Sequence, residues 1–536
     1  MDYAINHEQQ SEVFNVSLGF RLYVKKTLKD IRVSKLLIIG TGPLYDDRVC
    51  CFNGQGLRTW QFVMALRNAG HEVELILLPT EGHARPNVLT SEIVLSSVHG
   101  NFPYTLINST SLPEYLPYLQ RIVDSSHPEA LVAVNHNAAW PVVQLDTDLP
   151  IWADLNGYIM GEAQTKSMVF DNDVYLGHFW SRERRILRRA DKFSAVSRRQ
   201  MYATIGELGA LGRLNSANAM HGFVSTIPNA MAPEFLNPPP HRRGQFRGTV
   251  FPRDAYVVLW SGGFNTWTNV QMLADALSHA MMREPSIHFV ATGGAIVGHD
   301  EKTYQSFLDE MSERGLAERY TMLGWIEGER IFDLYRDCNL GLCVDGKNYE
   351  TLMGARNRIT NMVAMRLPVL TTFGTEISEE LAAIGAVLTT DINDAQEMAN
   401  AIVYASRNIG ETLEMAAKAA RYANEKWTPD AATQSILDWA RRPYRAPDNM
   451  KKMTILQKVN HAALARNPMA KILVNPADAV LSGLEEEARI CERECVEDLL
   501  ADSRDLHLLR NKLVFRIWRS IKKKIFCGMQ KLRKSE

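Results

Sequence analysis

KLLIIG (35–40), followed after an irregular Gly-containing stretch by NGQGLRTWQFVMALRNAGHEVELILLP (53–79), decides the fold. The first run is continuously apolar and short, which suits a strand buried on both faces. From Leu57 onward, Trp60, Phe62, Val63 and Leu66 recur at helical spacing, and Gly70 ends that helix. HEVELILL (71–78) is the next strand. Strand, loop, helix and strand in this order predict parallel strands joined by a crossover helix.

The same alternation runs outward along the chain. ALVAVN (130–135), LPIWADLN (149–156) and residues 192–196 read as strands of the same sheet. FLNPPPHRRGQFRG (235–248), rich in Pro and Arg, reads as a linker. A second alternating set follows, with strands at 256–263, 286–294, 319–325, 339–344, 368–372 and 386–390. AATQSILDWARR (431–442) reads as the helix that closes it. The predicted fold class is α/β: two Rossmann-like doubly wound domains facing a cleft, with a helical C-terminal extension. The divisions are a lead-in over 1–34, a first domain over 35–240, a second over 250–445 and a tail over 446–536.

Bulk composition narrows the class. The 536 residues are too many for one ordinary core. Net charge is −1, so the chain as a whole has no electrostatic case for binding nucleic acid. Seven scattered cysteines without Cys-x-x-Cys spacing predict inert thiols in a reducing compartment. The start MDYAINHEQQ lacks the basic and apolar regions of a signal peptide, and no run is long enough to span a bilayer. These features predict a cytoplasmic protein. Positive charge gathers in the last part, LHLLRNKLVFRIWRSIKKKIFCGMQKLRK, where Leu509, Leu513, Ile517, Ile521 and Ile525 fall four apart among Lys and Arg. Such a segment suits an anionic membrane surface through 506–534, or alternatively packing on the protein's own body or a second subunit.

Several segments resemble, in order, the family 4 (group 1) glycosyltransferases of GT-B fold. They are 53–79, RRADKFSAVSRRQ (188–200), IPNAM (227–231), DCNLGLCV (337–344) and RLPVLTTFGTEISEEL (366–381). The resemblance covers roughly residues 35–442. It implies an enzyme that moves a sugar from a nucleotide-sugar donor to a glycan, lipid-linked or protein acceptor, with retention and without a metal. Cell-envelope polysaccharide or glycoconjugate synthesis is the pathway it suggests. The chain also departs from that pattern. SGGFNTWTNVQ (261–271) lacks the usual Arg and Lys, and Asn361 and Met353 stand where a pair of glutamates is usual. A sugar-nucleotide epimerase of the same fold, or a non-catalytic scaffold anchored by the basic tail, are the competing readings.

The chemistry requires a diphosphate to be held and its charge neutralised as it leaves. Backbone N–H groups in Gly-rich turns do this well. Candidate donor-binding residues are Gly262 and Gly263 after Ser261, with Asn265, Thr266 and Thr268 adding side-chain donors, and Gly374, Thr375 and Glu376 after a later strand. Arg356 and Arg358 would clamp phosphate through their fixed forks of N–H donors, with Arg356 also counted as catalytic. On the acceptor side, Gly54, Gln55 and Gly56 form a facing loop and His136 follows a strand end. Asp154 and Asn156 are catalytic candidates, with Glu162 a lesser one. The bland alternatives are tight turns for the glycines, a structural histidine and a solvated arginine pair. GTGPLY (40–45) lacks the third glycine of a dinucleotide fingerprint, so no nicotinamide cofactor is expected.

Overall fold

The computed structural model describes residues 32–44, 53–79, 93–296, 298–326 and 328–449. Nearly all of the lead-in, and the tail from 450 with its basic segment 506–534, lie outside them.

The first sheet has eight strands: β1 (Lys35–Thr41), β2 (Glu72–Leu78), β3 (Val94–His99), β4 (Phe102–Ile107), β5 (Ala130–Val134), β6 (Ile151–Asn156), β7 (Lys192–Ala195) and β8 (Val224–Thr226). Their spatial order is β3-β4-β2-β1-β5-β6-β7-β8. Only β3 runs antiparallel to its neighbour. The β3–β4 hairpin escapes a search for crossover units because it is a local excursion at the sheet edge, turned by Gly100 at φ +55°. The second sheet has six parallel strands: β9 (Tyr256–Ser261), β10 (Ile287–Thr292), β11 (Tyr320–Met322), β12 (Leu340–Cys343), β13 (Val369–Thr372) and β14 (Leu388–Thr390). Their order is β11-β10-β9-β12-β13-β14.

Alternate residues of the central strands supply opposite faces. Leu36 and Ile38 of β1 join one core and Leu37 and Ile39 the other. Val258 and Trp260 of β9 join one core, Val257 and Leu259 the other. Each sheet is therefore covered by helices on both faces, which is why its strands read as unbroken apolar runs. Strand order reverses between β1 and β5 in one sheet and between β9 and β12 in the other. Loops leaving the carboxyl ends of those four strands are the expected ligand sites.

Two boundaries differ from expectation. The segment 235–248 is not a free linker: Phe235, Phe246 and Phe251 are buried in the second domain's core. Its basic residues are held there too, Arg242 by Asp333 (2.8 Å) and Arg247 by the backbone amide bond of its own N–H to Asp337 (3.1 Å). The chain crosses earlier, near 227–231, where Met231 N–H donates to the Trp427 carbonyl on the returning strand of chain (2.7 Å). The last helix, Gln434–Ala440, does not close the second domain. Ile436, Leu437, Trp439 and Ala440 pack into the first domain's core with Leu36, Phe62 and Trp152. Local periodicity cannot tell which of two apolar surfaces a helix covers.

Candidate functional site

On the donor side, β9 and β10 end in paired glycine turns. Gly262 and Gly293 have φ of +94° and +92°. A Cβ on Gly293 would lie 2.3 Å from the Gly262 carbonyl oxygen, so the two turns are in direct contact and no side chain fits between them. Gly262 N–H donates to Thr292 O (2.9 Å) and Gly293 N–H to Gly324 O (2.7 Å). The N–H of Gly263 has no acceptor among the described residues. Arg358 lies against this turn. Its Nε donates to Ser261 O (2.5 Å), its Nη2 to Gly263 O (2.8 Å), and its guanidinium stacks 3.6 Å over Trp260. Burial lowers its pKa against the opposing pull of Asp345, and no carboxylate pairs with it at ion-pair distance among the described residues.

Arg356 does not do what the sequence suggested. It is buried, and its Nε meets both Asp345 oxygens at 3.0 Å. Its two Nη atoms form a fork on Glu350 at 2.9 and 2.7 Å. Burial alone would lower its pKa, but Asp345 and Glu350 outweigh that and raise it. A guanidinium so fully engaged by two carboxylates has no charge left for a phosphate. Arg356 is the structural centre of the turn after β12.

Across the cleft, the helix Gly54–Asn68 starts at Asn53, whose side chain accepts from Gln55 N–H (2.8 Å). Gly54 faces the second domain, since a Cβ there would come 2.8 Å from Asn357 Nδ2. Gly56 is constrained by its own domain: a Cβ would come 1.8 Å from the Pro43 carbonyl oxygen. Gln55 Oε1 accepts from Thr41 Oγ1 (2.9 Å), which in turn accepts from Asn135 Nδ2 (2.6 Å). This chain of bonds ties the turns after β1 and β5 together. His136 opens the helix after β5 and is buried. Its Nε2 lies 3.3 Å from Glu183 Oε2, at an angle that makes no hydrogen bond.

Asp154 is likewise corrected. It is fully buried, with Oδ2 and Oδ1 accepting from Arg58 Nε (3.0 Å) and Nη2 (2.7 Å), and Oδ1 also from Ser194 Oγ (2.7 Å). No acceptor can reach it. Arg58 Nη1 continues to Pro228 O (3.0 Å), so the pair fastens the first crossing to the first domain. Asn156, two residues on, ends β6 at φ +59°, a left-handed conformation that Asn tolerates. It is half-buried at the carboxyl end of the strand, unlike the sealed Asp154.

Three remaining donor candidates, Glu376, Gly374 and Thr266, hold the domains together. Glu376 accepts from Arg198 N–H (2.8 Å) and Nε (2.9 Å) of the first domain, so it is not free for sugar hydroxyls. Arg199 adds Gly374 O (3.0 Å) and an ion pair to Glu379 (2.5 Å). Thr375 is buried, capping Glu376–Ala383 by accepting from Ser378 N–H (3.2 Å). Thr266 Oγ1 meets Thr165 Oγ1 of the first domain at 2.8 Å. Asn265 remains beside the glycine turn, its N–H donating to Thr268 Oγ1 (3.3 Å).

Thr165 belongs to the helix Ile159–Phe170, one face of which lies on the second domain. Gly161, Glu162, Thr165 and Val169 of this face meet Glu350, Thr266 and Lys302. Their spacing of about four residues was visible in the sequence, but nothing there showed what they faced. Burial and then Glu350 push the Glu162 carboxyl up to about 8, against the opposing pull of Lys166 and Arg356. Glu350, Asp345, Arg58 and Arg198 were also missed. A lone charge inside an apolar helical pattern, as at Arg58, was the one available signal.

No group of three or more His, Cys, Asp or Glu among the described residues could hold a metal ion. No helix among them is long and apolar enough to cross a membrane.

Comparison with known proteins agrees with this architecture. Residues 53–210 match a family model described as a glycosyl transferase 4-like domain, and residues 255–408 one described as glycosyl transferases group 1. No curated protein matches the sequence. A sucrose-phosphate synthase from Thermosynechococcus elongatus superposes with TM-score 0.58 at 16% identity, over 76% of this chain and 98% of that one. Anabaena HepE in complex with UDP-glucose gives 0.52 at 16%, over 76% and 98%. An E. coli trehalose-6-phosphate structure bound with UDP-2-fluoro glucose gives 0.57 at 11%, over 77% and 100%. At these identities the likeness is one of fold.

Proposed function

We propose, for a chain that belongs to the group 1 glycosyltransferases of GT-B type, that its donor diphosphate binds at the Gly262–Gly263 turn with Arg358 as its cation. The observation that carries this reading is the position of Arg358. It is the arginine beside the paired glycine turns, it makes no ion pair with a carboxylate among the described residues, and the Gly263 N–H next to it lacks an acceptor among them. The turn stands at the point where strand order reverses, the expected ligand position in such sheets.

Transfer then forms a bond between an acceptor oxygen and the anomeric carbon, while the bond from that carbon to the diphosphate breaks. The leaving electron pair goes to the diphosphate, whose growing charge Arg358 and the turn's N–H groups stabilise, and the acceptor hydroxyl gives up its proton to a departing diphosphate oxygen as its own bond to carbon forms. The acceptor, a glycan, lipid-linked or protein hydroxyl, enters from the first-domain side past Gly54, Asn156 and His136. Transfer proceeds with retention and without a metal, at the inner face of the cytoplasmic membrane in cell-envelope glycan synthesis. The family resemblance and the basic segment 506–534 support these finer points. UDP-glucose is the first donor to try, because the structural neighbours include proteins holding UDP-glucose and UDP-2-fluoro glucose.

Thermal stabilisation by a panel of nucleotide sugars, with and without chelator, tests the reading. A bound donor at a hundredfold excess over Kd stabilises the native state by about 2.7 kcal/mol. No shift with any nucleotide sugar would refute the donor site, and a shift abolished by chelator would refute metal independence.

A further inference from the structure

The helix Val174–Arg189 sets Ile186 and Leu187 into the first domain's core, with Glu183, its one carboxylate, buried beside them. The second half of this helix carries Arg182, Arg184, Arg185 and Arg188, of which Arg188 is exposed and the other three half-buried. Arg182 and Arg185 lie against the Trp140 ring at 5.7 and 5.6 Å, which fixes this face to the body of the domain. A helix C-terminus favours cations in its last turn, and that accounts for Arg188 and Arg189. It does not account for Arg182, Arg184 and Arg185. The described chain also ends here. Asn449 Nδ2 donates to Arg189 O (2.9 Å), Ala446 N–H donates to Asp191 Oδ1 (2.9 Å), and Arg213 makes a fork on Asp448 with both bonds at 2.9 Å. Residues from 450 onward therefore start at the C-terminal end of the arginine face.

Charge along those residues is segmented. LEEEARICERECVEDLLADSRD (484–505) is strongly acidic and lies between basic stretches on either side. Leu484, Ala488, Cys491, Cys495 and Leu499 recur in it at helical spacing, and Glu487, Glu494, Asp498 and Asp505 fall along one flank of that stripe. We propose that this acidic segment docks within its own chain, as a helix, along the arginine face of Val174–Arg189. Glu494 and Asp498 there meet Arg184 and Arg188, each pair four residues and about 6 Å apart along its helix. Residues 450–483 reach roughly 110 Å when extended, against about 24 Å for the length of the helix, so the connection permits the contact. The tether supplies an effective concentration of up to about a millimolar, at which partly exposed ion pairs too weak to join separate molecules hold. Docking sets the start of the basic segment 506–534 on the first domain, over the helix whose Glu183 lies against His136.

Hydrogen exchange on the full chain tests this without knowledge of donor or acceptor. Amides of 484–505 should exchange more slowly in the parent than in R184E/R188E by at least about fourfold, because each partly exposed pair turns from attraction to repulsion. E494K/D498K should lose the same protection while leaving the body of the protein unaltered, so a folding defect in the first variant cannot hide the result. Combining the two pairs of substitutions should restore protection. Fast exchange of 484–505 in the parent, or no recovery in the combined chain, would overturn the proposal. Protection that survives R184E/R188E would overturn it too, by pairing the segment with the basic residues of 506–534. So would protection that disappears on dilution, which places the segment on a second copy, or that requires phosphatidylglycerol vesicles, which assigns it to a membrane.

Discussion

Replacing Asp154 by Asn separates a catalytic role from a structural one. The substitution keeps shape and volume, so no cavity forms. It removes the negative charge facing Arg58, whose side chain, like that of Asp154, is 0% exposed. Arg58 cannot turn to water, because Nη1 is bound to Pro228 O and Gln61 Oε1 inside the domain. Leaving one member of a buried pair uncompensated costs about 3–5 kcal/mol. A domain of 150–250 residues loses about 2–4 °C of Tm per kcal/mol, so the first domain's transition should drop by roughly 6–20 °C. Calorimetry of the full chain resolves this if the two domains melt separately. The double variant R58M/D154L should recover much of the loss, since apolar replacement of both partners leaves no buried charge. D154N with a Tm within about 2 °C of the parent and transfer abolished would refute this reasoning and restore Asp154 as a catalytic residue.

Other consequences can be checked separately. R358A should raise the Kd for UDP by roughly 10–100-fold, the value of about 1.5–3 kcal/mol for a charge-assisted hydrogen bond, as measured by calorimetric titration. R356A should show its main loss in stability, again about 3–5 kcal/mol, in the second domain's unfolding transition. W439A should destabilise the first domain by about 3–5 kcal/mol although Trp439 follows the second domain in sequence, and hydrogen exchange of β1 and β6 would report it. Burial and then Glu183 hold the Glu207 carboxyl up to about 8, so the native state keeps a proton that the unfolded chain releases near the ordinary carboxylate range. Stability should therefore fall as pH rises from that range to about 8, and E207Q should lessen the fall in urea titrations at pH 6 and pH 9.

The alternating strands and helices of both domains were legible because a strand covered on both faces must be apolar throughout, as KLLIIG and YVVLWS are. So were the glycine turns after β9 and β13, since positive φ at Gly262 and a φ of +156° at Gly374 call for a residue without Cβ. The roles of the charged residues were not legible. Arg356 and Arg358 are two residues apart, and a sequence gives them equal claim to a phosphate. Yet one points inward to Asp345 and Glu350 and the other lies along Trp260 and the glycine turn. Asp154 and Asn156 also stand two apart on one strand, one sealed behind Arg58 and the other half-buried at the strand's carboxyl end.

What the sequence determined by itself is therefore the covalently local part: periodicity, turn chemistry, and with them two doubly wound sheets. Where a charge resides depends on which distant side chain meets it, and here the deciding partners lie 96 residues apart at Arg58–Asp154, 178 at Arg198–Glu376 and 101 at Thr165–Thr266. Only the packing of two domains and the return of the last helix to the first could settle those meetings. Burial then fixes which charges are neutralised, leaving Arg358 beside the donor turn and Glu162 between the domains.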